Sequence, residues 1–155
     1  MCVAPTPNAL IETAIALADE AGKRGDPPFG ALLVSPHGEV VAMASNRQVS
    51  ANDPTAHAEI ELLRAGALAG YRPPLAGYTV AVNAEPCSMC ASALVKAGIA
   101  ELLYGAAHEP HMDPDLGVAD VFARARHPPR VTAGVLATES AAHIASFRDA
   151  APAID

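Results

Sequence analysis

His57 and Glu59, two residues apart, and Cys87 and Cys90, three apart, carry the most distinctive chemistry in this sequence. One imidazole and two thiols are ligands that Zn²⁺ accepts, and three protein ligands leave its fourth tetrahedral position open, as in catalytic rather than structural zinc sites. Glu59 is then a carboxylate beside the metal that is not needed to bind it, placed to accept and return protons. Cys87 and Cys90 share a face if they lie on a helix. Pro86 suits a first helical position, which would put both thiols in a first turn whose unpaired N–H groups favour thiolate. Asn52-Asp53-Pro54-Thr55 is a helix-start signal just ahead of His57. Two helix N-termini facing one another would bring the three ligands together.

A lone Cys-x-x-Cys also suits a thioredoxin-like redox pair, and the His-Ala-Glu triplet upstream favours catalytic zinc instead, one ion per chain. A fourth protein ligand would close the site. Cys2 lies at a terminus, and His37, His108, His111, His127 and His143 have no metal-ligand spacing to the pair. A second metal site at His108 and His111 is disfavoured on the same ground.

The elements that must position these groups alternate along the chain. Thr6-Pro7 opens a helix whose apolar residues Leu10, Ile11, Ala14, Ile15, Ala18 and Ala21 recur at helical spacing, with Gly22 and Gly25 ending it. Residues 29–35 and 40–45 read as strands of a hairpin turning at Pro36-His37-Gly38. The His-Ala-Glu helix is expected to run to about Ala65, with Gly66, Gly70 and Pro73-Pro74 ending it. A third strand covers 78–83, and the cysteine helix runs to about Ala97. A fourth strand over 99–104 is parallel to the third, because a helix connects them. Residues 105–117 form a loop rich in His, acidic residues and Pro, followed by a short helix from about Val118. A fifth strand is expected over 131–136, and Thr138 caps a final helix to about Arg148. The sum is an α/β fold of three layers, α/β/α, around a five-stranded mixed sheet, in a single domain over residues 1–155.

Composition sets the context. The 155 residues are 51% hydrophobic and 17% charged, the balance of a globular chain. No apolar run approaches the ~20 residues of a membrane span, and the start lacks the basic-then-apolar pattern of a signal peptide. Three cysteines, two of them assigned to metal, offer no disulfide framework, so the cytosol is the expected compartment. Ten basic residues face seventeen acidic ones, a net charge of −7 that disfavours a nucleic-acid partner gripped by its phosphates. The one basic cluster, Arg124, Arg126, His127 and Arg130, reads as a solvated helix end.

Residues 52–59, Asn-Asp-Pro-Thr-Ala-His-Ala-Glu, together with Glu85-Pro86-Cys87-Ser88-Met89-Cys90, resemble the cytidine/deoxycytidylate deaminase superfamily, nearest to bacterial guanine deaminases and tRNA adenosine deaminases. The likeness runs from Pro28-Phe29-Gly30-Ala31 to the last helix. It implies a cytidine-deaminase-like fold, zinc on His57, Cys87 and Cys90, and Glu59 as the proton shuttle. It further implies that Asn46 hydrogen-bonds the base, that Phe29 lines the pocket, and that the Ala58 N–H meets a ring carbonyl or nitrogen. The superfamily also implies a homodimer. Ala91, Leu94 and Val95 of the cysteine helix are candidates for its contact, unless they face the chain's own sheet, and the closing helix could reach a neighbour's pocket.

Other roles compete for these residues. Asn46 could cap a turn, Phe29 could serve the core, and the loop bearing Glu109, His111, Asp113 and Asp115 could be only solvated, although long loops in compact domains are often functional. The expected activity is hydrolytic deamination of a small heterocyclic substrate, first guanine or a related purine as free base or nucleoside, supported by Pro-Phe-Gly-Ala and Asn-Asp-Pro. tRNA adenosine-to-inosine deamination is second, supported by Arg130-Val131 and residues 134–140. Against it stands a tail, Phe147-Arg148-Asp149-Ala150, without the basic end of such enzymes. A cytosine-type or other aminated heterocycle is third. The reading from another class is a non-catalytic zinc-binding module, which would not need Glu59.

Overall fold

The computed structural model describes residues 3–110 and 112–150, the last two by backbone alone. Helix α1 spans Pro7–Arg24. The Thr6 hydroxyl accepts the Ala9 N–H at 3.1 Å, and Gly25 closes the helix in the left-handed region at φ 95°. Strands β1 (Gly30–Val34) and β2 (Val40–Ser45) form the expected hairpin. Helix α2 spans Ala58–Leu68, β3 Thr79–Ala84, α3 Ser88–Ala97, β4 Glu101–Ala106, α4 Val118–Phe122, β5 Arg130–Thr132 and α5 Ala137–Ala150.

The sheet order is β2-β1-β3-β4-β5. β1 is antiparallel to both β2 and β3, while β3, β4 and β5 run parallel, with α3 crossing between β3 and β4. Alternation along the strands sorts the core into two layers. Ala31, Leu33, Val80, Val82, Leu102 and Tyr104 face α2, α3 and α4, whereas Leu32, Val34, Ala81 and Leu103 face α1. Helix α5 packs on β3 and β4 beside α1. The fold is the three-layer α/β/α arrangement around a five-stranded mixed sheet. No helix among the described residues is long and apolar enough to cross a membrane.

Four local expectations are corrected. Gly66 does not end α2, which continues to Leu68. Gly66 is buried mid-helix, where a Cβ would lie 3.3 Å from Leu33 Cδ2, so its lack of a side chain serves packing on the sheet. β5 stops at Thr132, because the chain turns away through Gly134 (φ 76°) and Leu136 (φ 51°). Thr138 lies inside α5, and the Leu136 carbonyl receives the Ser140 N–H at 2.9 Å. Ala91 and Leu94 are wholly buried in the chain's own core, which leaves half-buried Val95 as the one of the three with surface to offer a second chain.

Candidate metal centre and cavity

The ligand residues stand at helix starts, two positions earlier in the helix than the sequence suggests for the cysteines. Cys87 is the N-cap of α3 and Cys90 lies in its first turn, so Pro86 precedes the cap and is not the first helical residue. His57 is the N-cap of α2, two residues beyond a turn in which Asp53 accepts the Thr55 N–H at 2.8 Å and its hydroxyl at 2.7 Å. The His57 imidazole makes no capping bond to α2 and is free to turn outward, whereas the Cys87 thiol is held by Cys90 in the first turn of its own helix.

They turn toward one another. His57 Nδ1 lies 3.5 Å from Cys87 Sγ and 3.5 Å from Cys90 Sγ. A tetrahedral Zn²⁺ with ordinary Zn–S and Zn–N bonds would hold sulfur and nitrogen about 3.6 Å apart, so these spacings are edges of the tetrahedron that zinc requires. The residues present therefore fit the ion. Among the described residues this is the one cluster of three or more such ligand side chains, and all its ligand atoms lie within 4.8 Å of one another. His108 instead pairs with Asp115 at 2.7 Å. Cys2 and His111 lie outside the described residues.

Proximity sets the ionisation of the unmetallated cluster. A hydrogen bond from Cys90, joined by one from His57, outweighs burial and brings the Cys87 thiol down to about 4, while the bond to Cys87 and burial push the Cys90 thiol up. The bond to Cys87 raises His57 against the effect of burial. Glu59 is buried, and burial raises its carboxyl despite the opposing bond from Cys90 and the charge of His57.

The centre opens into a cavity of ≈ 310 Å³. His57, Ala58, Glu59 and Cys87 form part of its wall, as do Phe29, Asn46 and Glu109. Ala58 is the first residue of α2, so its N–H is among the donors that a helix start leaves unpaired. Phe29 both lines the cavity and packs on the core. Asn46 is buried, lines the cavity and also caps a turn, its Oδ1 accepting the Gln48 N–H at 2.8 Å. Within the long loop, His108, Glu109 and Met112 reach the cavity, whereas Asp113 and Asp115 are exposed and not part of its wall. Glu109 pairs with Arg148 of α5 at 2.8 Å. Arg124, Arg126, His127 and Arg130 are exposed between α4 and the start of β5.

Three supporting groups carry little sequence signal. Glu85 accepts the Val118 N–H at 3.1 Å and the His108 N–H at 3.4 Å, joining the segment before Cys87 to both ends of the loop. Burial and its bond to Glu85 push Tyr104 up to about 12. Asp26, whose side chain is buried, accepts the N–H groups of Val49 and Ser50 at 2.9 and 2.8 Å, the Ser50 hydroxyl at 2.8 Å and Arg24 Nε at 2.7 Å. Arg24 also donates to the Asn46 carbonyl at 2.8 Å. Gln48 lines the cavity next to Asn46.

A zinc-ready trio at two helix starts, a carboxylate behind it and a cavity at the end of an α/β/α sheet define a metal-dependent hydrolase of the deaminase type. Residues 5–106 match the model of the cytidine and deoxycytidylate deaminase zinc-binding region, and the chain belongs to that family. It is 38% identical over 144 residues to the tRNA-specific adenosine deaminase of Agrobacterium fabrum, covering 89% of this chain and 91% of that protein. A structure solved in a study of A-to-I editing by tRNA:A34 deaminases at the wobble position is 37% identical, with TM-score 0.78 over 86% of this chain and 97% of that one. The guanine deaminase of Nitrosomonas europaea has the same fold, with TM-score 0.81 over 96% and 87% of the two chains, at 22% identity.

Proposed function

We propose that this zinc-dependent deaminase acts on adenosine presented by a tRNA and converts it to inosine. The observation that carries this reading is the 38% identity across 91% of the Agrobacterium tRNA-specific adenosine deaminase. It reverses the order expected from the sequence, in which guanine came first and nucleic acid was disfavoured. At 22% identity the guanine enzyme shares the fold alone, and a net charge of −7 is a sum over the whole chain that does not describe the surface around one cavity.

In this reading His57, Cys87 and Cys90 hold the zinc, which when bound supplies the Lewis acidity that makes a water acidic near neutral pH. Glu59 accepts a proton from that water and delivers it to the ring nitrogen beside the amino-bearing carbon. It then takes the remaining proton of the attacking water and gives it to the amine. The C–N bond breaks, ammonia leaves, and the water's oxygen remains as the ring carbonyl, so one water is consumed for each ammonia released. Asn46 and the Ala58 N–H orient the base, Phe29 covers its face, and Glu109 borders the substrate.

A second reading, a free aminated heterocycle such as guanine, is favoured by one observation. Arg148 is the sole Lys or Arg of the described cavity wall, and it is already paired with Glu109. Zinc-loaded protein incubated with a tRNA bearing adenosine at the wobble position should yield inosine on nucleoside digestion and mass spectrometry. Ammonia released from free guanine, with no inosine in the tRNA, would replace the first reading by the second.

A further inference from the structure

The cavity wall contains a pair of amides whose orientation is forced by a single backbone group. The Gln48 N–H can only donate, so the Asn46 atom 2.8 Å from it must be the carbonyl oxygen, Oδ1. Asn46 Nδ2 is thereby turned to the Gln48 side chain, and the atom that meets it must be the acceptor Oε1. Gln48 Nε2 is then the free end of the chain of bonds. It has no hydrogen-bond partner among the described residues, and Gln48 lines the same cavity as Glu59 while half-buried.

We propose that Gln48 is a substrate-reading residue whose Nε2 donates to an acceptor on the purine, a ring nitrogen away from the reacting carbon or a ring carbonyl. This rests on the deaminase reading of the cavity and adds a specificity determinant to it. Asn46 commits its oxygen and one N–H to Gln48, and Gln48 Nε2 bonds no described residue, so the pair offers a substrate the two N–H donors of Gln48 Nε2. A base that fills the cavity displaces water from these donors. One that offers no acceptor there leaves a donor unsatisfied, which lowers affinity by roughly tenfold. Asn46 is held on its other side by the Arg24 bond to its carbonyl, so the donors stand on a fixed platform.

The test uses zinc-loaded protein with adenosine, 3-deazaadenosine and 7-deazaadenosine, each free and at the first anticodon position of an RNA hairpin. In the wild type, one of the two deaza replacements should raise KM about tenfold. Gln48→Leu should raise KM for adenosine about tenfold with kcat nearly unchanged, and the penalty for the sensitive deaza substrate should disappear. Gln48→Glu, which keeps an oxygen for Asn46 Nδ2 but has no Nε2, should raise KM as well. Zinc content should be equal throughout. Unchanged KM in both variants, or a deaza penalty that persists in Gln48→Leu, overturns this role while leaving the deaminase reading intact. Failure of the wild type to form inosine from adenosine in either form sinks the proposed function, and this role with it.

Discussion

Asp26→Asn isolates the structural support of the cavity from its chemistry. The Asp26 carboxylate accepts four hydrogen bonds, and one of its oxygens lies between Arg24 Nε at 2.7 Å and the Ser50 hydroxyl at 2.8 Å. Asparagine keeps one oxygen for the Val49 and Ser50 N–H groups but sets an amide NH₂ against the guanidinium, donor against donor. One charge-assisted bond worth roughly 1.5–3 kcal/mol is lost and two others are weakened. Arg24 is partly exposed and keeps its bonds to Ser45 and Asn46, so water and these partners recover some of the loss. The expected destabilisation is about 3 kcal/mol, or a fall in Tm of roughly 6–12 °C for a chain of this size. Urea unfolding followed by circular dichroism, with zinc at the same saturating concentration for both proteins, measures it. Burial raises the Asp26 carboxyl, but the bonds from Ser50 and Arg24 outweigh it and hold the group below its ordinary value. Its contribution is therefore fully present above about pH 4 and is lost as pH falls through the lower folded value. The gap between wild type and variant should stay flat from about pH 8 to 5 and narrow below 4. A variant within 1 kcal/mol (about one-third of the expected loss) across that range would refute the account.

Three further outcomes follow from the site. Cys87→Ser and His57→Ala should each lose zinc and activity together, and elemental analysis finding a full equivalent of zinc in either would remove that residue from the ligand set. Glu59→Ala should keep zinc and fold but lose at least ~10²-fold in kcat, and a rate within tenfold of wild type would mean that another group moves the proton. Glu85→Gln sets an NH₂ against the Val118 or His108 N–H. It should loosen the loop and raise KM several-fold at unchanged zinc content, and identical kinetics would show that the loop holds its place without Glu85.

What could be read from the sequence was local. Thr6-Pro7 and Gly25 bracket α1 because the signals that start and stop a helix act within a few residues. The ligand set was legible because its members come as short motifs. The errors arose where a distant contact decides the outcome. Gly66 looks like a helix stop until Leu33, on a strand more than thirty residues earlier, is seen against it. Asp26, next to Gly25 and Pro27-Pro28, carries no local signal, because its partners Val49 and Ser50 lie 23 and 24 residues away. Of the acids in the 105–117 loop, Glu109 reaches the cavity while Asp113 and Asp115 are exposed, and Glu85 in the cysteine motif anchors the loop.

The same division separates the reaction from its substrate. The ligand trio and Glu59 stand at the starts of α2 and α3, and in the proposed reading their chemistry serves any amino group on an aromatic ring carbon next to a ring nitrogen. In the proposed reading, choice among such substrates falls to wall residues in segments that those elements do not dictate: Asn46 and Gln48 after β2, residues 107–109 and 112 after β4, and Arg148 near the end of α5. Each is tied to the frame by a separate device, the Arg24–Asp26 pair for the first, Glu85 for the second and the Arg148–Glu109 pair joining the last two. Those devices use neither the ligand side chains nor Glu59, so in the proposed reading a change in one of them should shift which base is accepted while leaving zinc content unchanged. Gln48 belongs to the first of these segments, so its substitution should act on KM and substrate order while zinc content and kcat stay constant, a separation that a structural role in the metal centre would not produce.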